Sequence, residues 1–169
     1  GHHAAATGRP SRNLDGWMLG EAVNRDIFTR ATVDADIAIV EGMMGLFDGA
    51  ADGSGSCADL AALLDLPVML VVDCGRQSHS VAALVRGFRD HRADVRIAAL
   101  ILNRVSTERH ERLLREALEP IGIPVAGVIP SMDLLKLPER HLGLVQAGEH
   151  VALEAFIATA ATLVKDRID

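Results

Sequence analysis

The sequence predicts an α/β protein built on a mostly parallel sheet with helices on both faces. Three observations carry that prediction. Apolar runs of strand length recur without polar alternation, as strands covered on both faces require. Stretches with apolar residues at helical spacing alternate with them. The chain has 169 residues and is 49% apolar, which suits one domain with a substantial core.

Residues to about Pro10 are small and polar. Ser11 to Arg30 reads as a helix, with Leu14, Trp17, Met18, Ala22 and Phe28 at mostly helical spacing and Ser11 or Asn13 as cap. Asp36 to Gly42 reads as a short buried strand. Gly42 to Ser56 carries glycines at 42, 45, 49, 53 and 55 and must be a loop. A helix is expected over Ala58–Asp65 and a second buried strand over Pro67–Asp73. Ser78–Asp90 places Val81, Leu84, Val85 and Phe88 on one helical stripe. Val95–Leu102 is a third strand, closed by Asn103 and Arg104. An amphipathic helix follows from Ser106 through Leu118, with capping chemistry in Ser106-Thr107-Glu108. Pro124–Ile129 is a fourth strand ended by Pro130, and a last helix is expected from about Gly148 to Lys165.

The net charge of −6 argues against a nucleic-acid partner or an anionic membrane surface. Aromatic residues make up 3% of the chain, too few for a base-stacking platform. Lys136 and Lys165 are the lysines among 17 basic residues. Cys57 and Cys74 make neither a disulfide framework nor a zinc pattern, which suits reduced thiols in a cytoplasmic protein. No apolar run reaches the roughly 18 residues that span a bilayer.

In doubly wound sheets, ligands bind outside the carboxyl ends of the strands. The residues expected there are Glu41-Gly42, Asp73-Cys74-Gly75, Asn103-Arg104 and Pro130-Ser131. The run Val40-Glu41-Gly42-Met43-Met44-Gly45-Leu46-Phe47-Asp48-Gly49 is the strongest candidate. A strand-end carboxylate followed by glycines suits Mg²⁺ and close backbone approach to a phosphate. It equally describes a glycine-rich turn with solvated acids. Asp73 looks like the acid that ends a strand beside the metal in nucleotide hydrolases, or caps the following turn. Asn103 suits a nucleobase edge, or local turn bonding. Ser78 and Ser80 flank His79 at a helix start, where capping and anion binding are both open. Arg140 and His141 stand in a proline-led loop. No G-x-x-x-x-G-K-[ST] phosphate loop is present, because neither lysine follows a glycine.

Several stretches together resemble the cobyrinic acid and hydrogenobyrinic acid a,c-diamide synthase family, which has a P-loop NTPase-like, dethiobiotin-synthetase-like fold. They are Ala6–Asp15, Ile39–Gly49, Ser56–Ala61, Val81–Phe88, Ile101–Val105 and Pro138–Leu144, in family order along nearly the whole chain. The Glu-Gly-x-Met-Gly-Leu-Phe-Asp-Gly run separates this family from cobyric acid synthase, dethiobiotin synthetase and the MinD/ParA ATPases.

The resemblance implies amidation of the a and c carboxylates of a corrinoid. ATP and Mg²⁺ are the expected cofactors, each carboxylate is activated as an acyl phosphate, and a glutaminase domain supplies ammonia from glutamine. By this likeness Glu41 would ligate Mg²⁺, and Asp48 would position or activate the substrate carboxylate. Asn103 would contact adenine, with Asp73 and Pro130 also on the nucleotide side. Asn13, Asp15, Ser80, Arg140 and His141 would lie toward the substrate. A homodimer is a further expected partner state.

The family's first strand, phosphate loop and C-terminal glutaminase have no counterpart here. Residues 1–169 would therefore be part of an ATP-dependent synthetase (amidoligase) domain, inactive alone. Two other readings remain: a non-catalytic binding or scaffold module of the same fold, and a related dethiobiotin-synthetase-like or MinD/ParA-like ATPase.

Overall fold

The computed structural model of the chain describes residues 1–132, the backbone of 139–140 and 143–144, and residues 153–168. Their elements are α1 (His2–Thr7), α2 (Gly20–Thr32), α3 (Cys57–Leu63), β1 (Val68–Asp73), α4 (Ser80–His91), β2 (Ile97–Val105), α5 (Glu108–Leu118), β3 (Val125–Pro130), the two-residue strands β4 (Glu139–Arg140) and β5 (Gly143–Leu144), and α6 (Leu153–Arg167). A 3₁₀ turn, Glu119–Ile121, links α5 to β3. The chain divides into two compact units. One comprises Gly1–Ser11, Met69–Arg92 and Ile97–Asp169, and the other Arg12–Val68 and Ala93–Arg96.

The first unit holds a three-stranded sheet in the order β1-β2-β3. β2 and β3 are parallel, with Leu100 opposite Val125, Leu102 opposite Val128 and Asn103 opposite Ile129. Val68 N–H donates to Arg96 C=O and Cys74 N–H to Asn103 C=O, so β1 also runs parallel to β2. Sequential strands pair side by side because α4 and α5 carry the chain back between them. In β2, Leu100, Ile101 and Leu102 are buried in succession, so both faces are covered at the centre. Val81 and Val85 of α4 and Leu114 and Leu118 of α5 complete the core with Val72 and Val128.

The α/β class and the parallel order are as the sequence predicts. The differences are local. Asp36 to Gly42 forms no strand, and Ile37 and Ile39 are 79% and 87% exposed. An apolar run of this length suits a buried strand, but a strand exists only where a neighbour accepts its N–H and C=O groups, and no ladder forms here. β1 is covered on one face alone, with Val72 buried and Met69 and Val71 exposed. As the end strand of the sheet it lacks the two-sided cover that β2 receives.

The expected helix from Ser11 starts later, at Gly20. Asp15 Oδ1 takes the N–H groups of Trp17 and Met18 at 2.9 and 2.8 Å, a turn that competes with helix. Leu84 is 39% exposed, so the α4 stripe is narrower than its spacing implies. The start of the expected last helix, residues 148–152, lies outside the described residues.

α6 closes on β3. Gly127 bridges Ile168, and a Cβ at Gly127 would lie 2.7 Å from Ile168 Cγ1 and 2.8 Å from Arg167 O. Glycine is therefore required by contact there. Gly127→Ala is expected to lower stability by about 1–3 kcal/mol, checked by urea unfolding.

Candidate functional site

The candidate residues fall into two groups, one in each unit. In the first unit, the ends of three parallel strands bring Asp73, Asn103 and Pro130 to one edge of the sheet. Cys74 N–H donates to Asn103 C=O at 2.8 Å, while Asn103 stands opposite Ile129 and Val105 opposite Pro130. This is the carboxyl edge where such sheets bind ligands.

Asp73 is not a bare carboxylate. Arg104 Nε donates to its Oδ1 at 2.8 Å, Arg104 Nη2 to its Oδ2, and the Gly75 N–H to Oδ1 at 3.0 Å. The guanidinium first, and the Gly75 N–H next, hold the carboxyl below the usual aspartate range. Folding thus favours the ionised form. The gain is complete above the unfolded value of about 3.9 and is lost as the pH falls through the lower folded value. Both side chains are 57% exposed, so the gain is small. Asp73→Asn is expected to leave stability unaltered in its pH dependence above about pH 5 and to flatten it in acid, read by urea unfolding across that range.

The loop after β1 is braced from α5. Gln77 Nε2 donates to Asp73 C=O at 2.9 Å, and His110 Nε2 bonds Gln77 C=O at 2.7 Å. The Ser106 N–H reaches His110 Nδ1 at 3.3 Å, which leaves Nε2 to carry the proton. Burial pushes the Cys74 thiol up to about 11, with the Asp73 charge adding to the effect. A thiol reagent at about pH 8 is expected to modify half-buried Cys57 first and Cys74 only on unfolding. Peptide mapping after labelling checks the order.

Ser80 opens α4 and is exposed, but no side chain caps that helix start. The capping expected of Ser78 is absent, since Ser78 Oγ contacts His79 Nδ1 at 3.3 Å. His141 and the side chain of Arg140 lie outside the described residues.

In the second unit, Glu41 and Asp48 are both exposed on the glycine-rich loop. The loop has a defined path. Asp48 N–H donates to Gly45 C=O at 3.0 Å, and Ala58 N–H to Leu46 C=O at 2.9 Å. The second bond ties it to the start of α3, where buried Ser56 and half-buried Asp59 form a reciprocal capping box. The Asp48 carboxylate lies directly over Gly45. A Cβ at Gly45 would overlap Asp48 Oδ2 and lie 3.0 Å from its Cγ. The glycine keeps that carboxylate where it is.

Asn13 is exposed before α2, and Asp15 caps the turn described above. That turn meets the same loop, since a Cβ at Gly16 would lie 3.8 Å from Gly55 Cα. Its anchor is Asn24, fully buried and not singled out by sequence spacing. Asn24 Oδ1 accepts the Asp15 N–H at 2.9 Å, and its Nδ2 donates to Asp15 C=O at 2.8 Å and Gly20 C=O at 2.7 Å. Asn24→Ala leaves three backbone groups without that partner and is expected to cost about 1–3 kcal/mol of stability in chemical denaturation.

Among the described residues, no three His, Cys, Asp or Glu side chains gather into a metal site. An exposed carboxylate such as Glu41 is the ligand type that Mg²⁺ takes, one or two carboxylates with water and phosphate oxygens completing the shell. Asn103 offers a nucleobase edge two amide donors and a carbonyl. Among the described residues, no helix is long and apolar enough to cross a membrane.

Residues 16–139 match the AAA domain family. The chain is 57% identical over 169 residues to the hydrogenobyrinate a,c-diamide synthase of Brucella anthropi, covering 99% of this chain and 39% of that protein. The enzyme of the same name from Rhizobium meliloti is 57% identical over 167 residues, with the same coverage. That of Agrobacterium fabrum is 45% identical over 172 residues, covering 100% of this chain and 39% of its own length. The chain therefore spans 39% of these curated relatives. They carry the name to which the Glu41–Gly49 run and its companion stretches pointed.

Proposed function

The chain belongs to the AAA domain family, and from that premise we propose that the protein carrying it amidates the a and c carboxylates of hydrogenobyrinate, with ATP, Mg²⁺ and glutamine-derived ammonia. One observation carries the reading: 57% identity along 99% of the chain to a synthase of that name, with the glycine-rich loop and its two carboxylates in place.

A carboxylate resists ammonia because its oxygen is a poor leaving group. Transfer of the γ-phosphoryl group of ATP to that oxygen, with ADP as the leaving group, makes an acyl phosphate. The ammonia nitrogen then attacks the carbonyl carbon, phosphate departs and a proton is shed. Most of the acceleration comes from positioning and charge neutralisation. Glu41 would hold Mg²⁺, which neutralises phosphate charge when bound. Asp48, held over Gly45, would position the substrate carboxylate group and take the proton shed by the nitrogen. Asn103 would read the adenine edge, beside Asp73 and Pro130 at the same strand ends. Asn13, Asp15, Ser80, Arg140 and His141 are assigned to the corrinoid.

The test supplies the gene product that carries residues 1–169 with hydrogenobyrinate, ATP, Mg²⁺ and glutamine or ammonia, and follows products by mass spectrometry. ATP-dependent appearance of the monoamide and then the diamide is expected. No amidation from either nitrogen source would sink the proposal. Residues 1–169 alone are expected to show no glutamine-dependent ATP hydrolysis.

A further inference from the structure

We propose that Arg104 is a positioning residue: its left-handed backbone, pinned by its side chain to Asp73, locks the carboxamide of Asn103 in one orientation and so sets which nucleobase the site accepts. The inference rests on the assignment of Asn103 to a base edge and adds what orients it.

Arg104 has φ +59°, a conformation that residues with a Cβ rarely adopt. Such strain persists where surrounding structure over-determines it, and it concentrates at functional sites. Here two anchors impose it. The guanidinium grips both Asp73 oxygens with Nε and Nη2, across a sequence separation of 31 residues. The backbone N–H turns to donate to the side chain of its own predecessor, Asn103 Oδ1, at 2.9 Å. Gly75 leaves the room this requires, because a Cβ there would lie 3.3 Å from both Arg104 Nε and Asp73 Oδ1.

The consequence is a carboxamide that cannot flip without losing a bond. Its Oδ1 is turned to the Arg104 N–H and keeps one lone pair. Its NH₂ has no protein partner among the described residues. A locked donor beside a half-used acceptor matches the adenine edge, where N7 accepts and N6–H₂ donates. Guanine presents two acceptors, N7 and O6, and would set O6 against Oδ1. A rotating amide lacks this preference. The Asp73–Arg104 pair and the His110–Gln77 brace hold the frame in which the amide is fixed.

Two measurements test this. In the amidation assay of the gene product, Arg104→Ala is expected to raise KM for ATP and lower the ATP:GTP ratio of kcat/KM, each about tenfold, with a smaller change in kcat. Arg104→Gly, which tolerates positive φ without the guanidinium, is expected to recover part of that selectivity. In residues 1–169, the Asn103 side-chain NH₂ is expected to be rigid by ¹⁵N relaxation and to become mobile in Asp73→Asn, while the core signals stay dispersed. If Asn103→Ala leaves KM for ATP unchanged, the base assignment itself fails. If Asn103→Ala raises KM but Arg104→Ala leaves KM and selectivity unaltered, the positioning role is overturned. A wild-type Asn103 amide as mobile as that of exposed Asn13 overturns it as well.

Discussion

Replacing Leu102 by alanine is expected to destabilise the chain by about 2–5 kcal/mol. Leu102 is fully buried in β2, the middle strand of the sheet, opposite Val128. The loss has two parts. The removed methyl groups forfeit their transfer out of water, and the cavity left behind keeps its lining atoms without contacts. A site between strands collapses poorly, because backbone hydrogen bonds hold both neighbours at fixed spacing. Equilibrium urea unfolding measures the change. A domain of this size has about 5–15 kcal/mol to lose, so the variant gives up a large share of its stability and its urea midpoint falls accordingly. A value within about 0.5 kcal/mol of wild type would mean that this core is not where the stability lies. Leu102→Met, which conserves volume, is expected to cost less than about 1.5 kcal/mol and serves as the control.

Gly45→Ala is expected to lower the amidation rate of the gene product on the order of 10²-fold, with little change in stability. The added methyl collides with the Asp48 carboxylate, the movable end of a side chain, and not with backbone. The loop can therefore keep its bonds from Asp48 N–H to Gly45 C=O and from Ala58 N–H to Leu46 C=O while the carboxylate is pushed aside. A displacement near 1 Å of a positioned group costs about that factor when catalysis depends on orientation. The measurement is kcat for diamide formation alongside thermal unfolding. Unchanged kcat would remove Asp48 from the reaction, whereas a large loss of stability would show that the loop itself had moved.

These two expectations draw on different kinds of information. The Glu41–Gly49 run was legible in the sequence because its meaning lies in residue order: carboxylates and glycines at fixed spacing on one loop. The parallel order was legible for a similar reason. Continuous apolar runs alternating with amphipathic helices leave few other ways to bury both strand faces.

What the sequence could not carry was partnership. Asp36–Gly42 and Pro67–Asp73 read alike as apolar runs, yet the second finds β2 as a neighbour while the first finds no strand to pair with among the described residues. Hydrophobicity is a property of a segment, but a ladder is a property of a pair. The same holds at the candidate site. Asp73 read either as a strand-end acid beside a metal or as a cap of the following turn; the Gly75 N–H bond fits the cap, but its pairing with Arg104 emerged only once β1 and β2 lay side by side. Asn24 carries no signal in its spacing, and its role exists only because Asp15 folds back onto it. Sequence alone determined the class of fold, the family and the loop that bears the carboxylates. Tertiary structure alone determined which acid is paired, which amide is locked and which apolar run becomes a strand, because each depends on a residue distant in the chain brought within hydrogen-bond reach.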